Sequence, residues 1–239
     1  MINLLISVSL LVSPMRIEVT TLPGVVTKEI IVKNADKFNE SRVVIYEGDW
    51  RLDPWGVVSY FPPGSLTTSC SDWISINPRE FTLPPGEQEI VRVSFDVPPE
   101  TEGSFWSVIF IEGKPPEREE WTPLIQLTGR IGVSTYVEIA GTVMRQATIK
   151  DMKVEDNSVI VEFYNEGNHW VRPEIKLWIS RGKEKIYSDS VKTSLVLPES
   201  RRYYKFNLDD LELHSGDSII TQIDYGGEKI LLGIKDIKY

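Results

Sequence analysis

Leu124 to Ala140 reads LIQLTGRIGVSTYVEIA, the longest extended-looking stretch in the chain. From Ile131 to Ile139 the odd positions are Ile, Val, Thr, Val and Ile, and the even positions are Gly132, Ser134, Tyr136, Glu138 and Ala140. Side chains of a strand alternate between faces, so this pattern gives one apolar face and one mixed face. β-Branched residues at the apolar positions, together with Gly129 and Gly132, argue against a helix. Upstream of Gly129 the pattern changes, since Leu124, Ile125 and Leu127 leave only Gln126 and Thr128 polar. A strand this long spans a whole domain as its last strand. It leads through Gly141-Thr142 into a second domain.

The rest of the chain repeats the strand-and-turn grammar. Arg16–Thr21, Lys28–Lys33, Arg42–Trp50, Val57–Phe61, Trp73–Ile76, Phe81–Leu83, Glu89–Val97 and Ser104–Ile111 are expected strands. Pro-Gly and Asp/Asn turns separate them. After the boundary, seven more are expected: Ala147–Val154, Val159–Tyr164, Glu174–Ser180, Lys185–Val191, Arg202–Leu208, Ser218–Asp224 and Lys229–Ile237. Short strands at regular spacing, with no helix-length periodicity, predict an all-β chain of two Ig-like antiparallel β-sandwich domains in tandem. Their expected bounds are 13–142 and 146–239. Residues 1–12 hold the apolar run Ile2–Val12, which is either a signal segment or the start of the first strand.

Composition excludes several function classes. The net charge is −9 and no basic stripe exists, so nucleic-acid binding is not expected. The single cysteine, Cys70, rules out an internal disulfide framework. The two histidines, His169 and His214, fall in expected turns; no nucleophile–His–carboxylate set, Cys/His metal spacing or phosphate-cradling glycine loop is legible. His169 reads as a surface turn residue, Cys70 as an inert loop thiol, and Asp49, Asp53 and Asp209-Asp210 as solvated turn carboxylates rather than calcium ligands. Trp50, Trp55, Tyr60, Trp73 and Trp106 read as core and sheet-rim aromatics rather than a sugar platform. Trp121 lies in the charged loop before the long strand. The expectation is therefore a non-enzymatic protein with no small-molecule cofactor and no metal.

Three motifs carry a family resemblance. Arg16 stands on an early strand ahead of Pro23-Gly24; Gly103-Ser104-Phe105-Trp106 enters an apolar strand; and Gly129-Arg130-Ile131 sits in the long last strand. In order and spacing, residues 13–142 resemble the N-terminal domain of the PapD-like periplasmic pilus chaperones. Asn165-x-Gly167-Asn168, Val196-Leu197-Pro198 and Asp224-Tyr225-Gly226-Gly227 resemble a companion domain of secreted relatives. The resemblance implies a periplasmic or otherwise extracytoplasmic, secreted protein that binds an extended strand of a partner subunit at a sheet edge. It implies that Arg16 grips a carboxylate in the cleft between the domains. It implies that Ile125 and Leu127 supply apolar donor positions. Arg130 is expected to contribute from the opposite face to Gly132, the position where the family carries a second, lysine anchor. Pro123 falls on a third donor position. The competing reading is a structural or surface Ig-like spacer or adhesion protein that associates with itself.

Overall fold

The computed structural model describes residues 10–114, 129–192, 195–209 and 211–237. Two compact units emerge, one formed by Met1–Trp50 with Tyr60–Gly141, the other by Arg51–Ser59 with Thr142–Tyr239. Apart from the 3-10 turn Ser71–Trp73, every element among the described residues is a strand.

The strands up to Ile139 are β1 (Leu10–Ser13), β2 (Arg16–Thr21), β3 (Gly24–Asn34), β4 (Ser41–Leu52), β5 (Val58–Phe61), β6 (Ile74–Asn77), β7 (Glu80–Leu83), β8 (Gln88–Val97), β9 (Ser104–Lys114) and β10 (Gly129–Ile139). One sheet has the order β1-β3-β8-β6, the other β2-β10-β9-β4-β5 with β7 also paired to β4. Leu10 and Val12, whose place in the sequence left two readings open, form part of β1 and pack against the core. The core lies between the two sheets. It is built from alternate residues of each strand, among them Ile30 and Val32 on β3, Val91, Val93 and Phe95 on β8, and Val133, Val137 and Ile139 on β10. Burial of this apolar surface is the dominant stabilising term.

From Thr142 on, the described residues form seven strands: β11 (Ala147–Glu155), β12 (Ser158–Asn165), β13 (Glu174–Arg181), β14 (Glu184–Lys192), β15 (Ser200–Asn207), β16 (Asp217–Asp224) and β17 (Leu231–Asp236). They form a β11-β12-β15 sheet and a β14-β13-β16-β17 sheet, the seven-stranded Ig-like arrangement. Phe163, Ile175, Leu177, Ile179, Phe206, Ile219 and Ile223 are the centre of its core.

Each unit closes one corner with a buried asparagine. Asn34 ends β3, and its Nδ2 donates to the carbonyls of Asn39, Leu83 and Pro84 at 2.8, 3.1 and 3.3 Å. Asn165 ends β12, and its Nδ2 donates to the carbonyls of His169, Val196 and Leu197 at 2.8, 3.3 and 3.1 Å. The Oδ1 of each accepts the backbone N–H two residues on, from Asp36 and Gly167 respectively. These side chains satisfy carbonyls that the strands leave behind as they turn away, a need that any buried backbone group has.

Candidate functional site: the half-open edge of the tenth strand

β10 is paired unequally along its length. On one flank it runs antiparallel to β9, from Gly129 opposite Gly113 to Glu138 opposite Ser104. On the other flank it runs parallel to β2, but only from Ser134 opposite Arg16 to Ile139 opposite Thr21. Gly129–Val133 therefore has β9 on one side and no strand of the described residues on the other. The segment expected to form a free edge, Leu124 to Leu127, lies outside the described residues; from Ser134 on, the strand lies inside the sheet.

Backbone direction follows from three hydrogen bonds. The N–H groups of Ser134 and Ala140 donate toward β2, to Met15 and Thr21, whereas that of Ile139 donates toward β9, to Gly103. Even-numbered residues thus turn their N–H and C=O away from β9. On the open stretch these are Arg130 and Gly132. Such outward groups are the template on which a further strand pairs.

The side chains sort by the same parity. Val133 is fully buried on the core face, with Ile131 half-buried beside it. Arg130, Gly132, Ser134 and Tyr136 lie on the opposite face, and parallel register places Arg16 on that face too, beside Ser134. This corrects the sequence expectation for Arg130: it shares a face with Gly132, because two residues along a regular strand is one full repeat. Its guanidinium lies over the Phe110 ring at 4.1 Å and 5.8 Å from the Tyr60 ring centre. One nitrogen points to the Tyr46 hydroxyl at 3.4 Å, and that hydroxyl donates to Glu112 at 2.9 Å. Arg16 sits where β2 begins its pairing, with its Nε 3.2 Å from Glu18 in a largely exposed ion pair. A pair of this kind contributes well under about 1 kcal/mol and yields readily to a better ligand. Ile125 and Leu127, with Trp121 and Pro123, lie outside the described residues.

Several polar residues sit differently from the sequence reading. Asp49 is fully buried rather than solvated, and accepts from Ser69 Oγ and Ser71 Oγ at 2.6 Å each and from the Leu66 N–H at 3.0 Å. It fills the gap that opens where β4 stops pairing with β9 at Gly48. Cys70 is buried beside Ser107 and Thr135, and burial pushes its thiol up to about 11, so it stays protonated and unreactive. His169 is 5% exposed, not a surface residue. Arg145 donates to its Nε2 at 3.1 Å, which fixes the neutral tautomer because an arginine only donates. Burial, then the charges of Arg145 and Arg172, hold its pKa down at about 4. Among the described residues no group of three or more His, Cys, Asp or Glu is placed to hold a metal ion.

No family model matches the chain, and no curated protein does. Solved structures do. The class 5 fimbriae chaperone CfaA matches with a TM-score of 0.58 at 12% identity, covering 96% of this chain and 100% of that one. The chain has the PapD-like chaperone fold. A chain of the chaperone-tip adhesin complex of CFA/I fimbriae biogenesis matches at 0.57, with 12% identity over 95% of this chain and 99% of the other. A chain of the CsuC-CsuE chaperone-tip adhesion subunit pre-assembly complex, from the Csu pili of Acinetobacter baumannii, matches at 0.53, with 13% identity over 95% and 98%. In this chain the pairing of β10 with β2 stops at Ser134, and Arg16 stands at that boundary. No helix among the described residues is long and apolar enough to cross a membrane.

Proposed function

We propose that this protein is an extracytoplasmic, chaperone-like binding protein that receives an extended strand of a partner subunit on the open flank of β10. The observation that carries the reading is the loss of the β2 pairing at Ser134, which leaves the outward N–H and C=O groups of Arg130 and Gly132 without a ladder partner among the described strands. Strand addition supplies main-chain hydrogen bonds for affinity, and alternate side chains supply selectivity. Arg16 stands at the end of the open stretch and serves as the cationic stop for a carboxylate. Ile125 and Leu127, which lie outside the described residues, are kept as the apolar donor positions that the resemblance implies. The protein performs no chemistry on its partner in this reading.

Arg130 separates backbone from side chain. Proline at this position removes an outward N–H without touching the β9 ladder, since Arg130 is a non-hydrogen-bonded position opposite Glu112. Arg130→Pro and Arg130→Ala are each used as bait on an envelope extract of the native host, with captured subunits quantified by mass spectrometry. Recovery of the subunit falls at least about tenfold with proline and stays within about threefold with alanine. Equal recovery on both, with both folded by circular dichroism, rules strand addition at β10 out.

A further inference from the structure

The outer face of the open stretch is bare at Gly132, and the three atoms nearest to its missing Cβ all belong to β9, so the gap there lies toward the open flank. A Cβ on Gly132 would lie 3.1 Å from Val108 Cγ2 and 3.6 Å from Phe110 Cε1, so a bare backbone is floored by these two side chains. Gly132 is half-buried, and Arg130, two residues along the same face, is exposed with its guanidinium stacked on Phe110. The sheet already shows how such a gap is filled. On the far side of Phe110, Gly48 of β4 would place a Cβ 2.8 Å from Phe110 Cε2, so the phenyl ring itself covers that glycine. An aromatic ring leaning over a strand glycine recovers the contacts that the missing side chain forfeits. Gly132 has that cover on its β9 flank only, where it stands opposite Phe110.

We infer that Gly132, with Val108, Phe110 and Arg130 around it, is a specificity subsite for an aromatic side chain of the added strand. This rests on the strand-addition reading above and goes beyond it by stating the partner's chemistry. The residue that pairs with Gly132 across the open flank projects onto this same face. A phenyl or phenol ring there leans over the bare Cα, meets the edge of Phe110 and lies beside the Arg130 cation. A small side chain leaves the gap unfilled. A carboxylate gains the arginine but meets an apolar floor.

The test uses the full chain and labelled peptides of about nine alternating Thr and Val residues closed by lysines, long enough to span the open stretch. A central guest position holds Phe, Ala or Asp, and binding is followed by fluorescence anisotropy. The Phe guest binds roughly fivefold tighter than the Ala guest, the scale of one good cross-strand pair. Gly132→Ala and Arg130→Ala each bring that ratio below about twofold. Arg130→Ala keeps the comparison available should Gly132→Ala fail to fold. If peptides bind and Arg130→Pro abolishes binding, yet Phe and Ala guests bind alike, the subsite is overturned and strand addition stands. A ratio that persists in both alanine variants, or a preference for Asp, overturns the subsite as well. If no peptide binds the wild-type chain better than Arg130→Pro, the strand-addition reading fails and the subsite fails with it.

Discussion

The last strands of the two domains answer the same geometric problem in different ways. β17 pairs with β16 on one flank and has no strand of the described residues on the other, but it packs on β11 of the facing sheet: Lys235 donates its ammonium to the Met152 carbonyl, and a Cβ on Gly233 would meet Thr221 of β16 at 3.0 Å and Ile149 of β11 at 3.1 Å. Its exposed Leu232 and Ile234 point off the sheet face, not along the edge. β10 has the same place in the first domain, yet β2 guards only its second half. One Ig-like frame thus leaves its final strand at the sheet edge along its whole length and ties it to the facing sheet through Lys235, while the other brings its final strand inside the sheet and leaves only five residues with a strand on one flank. The frames themselves are alike down to their corners, where Asn34 and Asn165 make matching sets of bonds. The corners are the fold; the difference at the edge is where a function has room.

If the corners are equivalent, removing them must hurt equally. Asn34→Ala and Asn165→Ala each strip three carbonyls of a donor inside the protein and destabilise their own domain by about 3 kcal/mol. Hydrogen–deuterium exchange read separately on peptides of the two domains resolves this. A loss confined to one variant breaks the equivalence.

His169 sharpens the contrast, since the first domain has no histidine at all. It is held neutral in the fold with a pKa of about 4, below the ordinary value of 6.5. The unfolded chain then binds the extra proton first as pH falls, so stability is intact above 6.5 and is lost progressively down to 4. The loss approaches about 2 kcal/mol at the acid end, in the second domain alone. His169→Gln flattens this window in denaturant titrations at stepped pH. A first domain with the same window would remove His169 as the cause.

Arg16→Ala has the smallest effect on folding and tests the edge. With an exposed ion pair as its only described charge contact, its loss costs at most about 0.5 kcal/mol. Recovery of the partner subunit nevertheless drops several-fold when the carboxylate stop is gone. Unchanged recovery takes Arg16 out of the site.

Strand positions were largely legible because apolar alternation is a local signal. The seven strands of the second domain lie within about three residues of their sequence assignments, and Gly129–Ile139 carries the expected inward set of Val133, Val137 and Ile139. Buried polar residues were not legible. Asp49, Asn34, Asn165 and His169 belong to residue types that favour turns, and only their tertiary neighbours decide that they face inward. The partial pairing of β10 was hidden for the same reason, since where β2 begins opposite Ser134 is a matter of register between residues over a hundred positions apart. Arg130 is the instructive exception, because counting by two from Gly132 already puts both on one face.

The turn at Asn165–Asn168 has a practical corollary. Gly167 and Glu166 donate to the Gln146 carbonyl, Asn168 donates to Met144 and Thr142, and its side-chain oxygen takes the Met144 N–H at 2.6 Å. Residues 142–146, which look like a joint in the sequence, are laced into the second domain. A shortened chain that keeps this turn has to retain Thr142; starting at Ala147 would remove Thr142, Met144 and Gln146, to which Glu166, Gly167 and Asn168 are bonded.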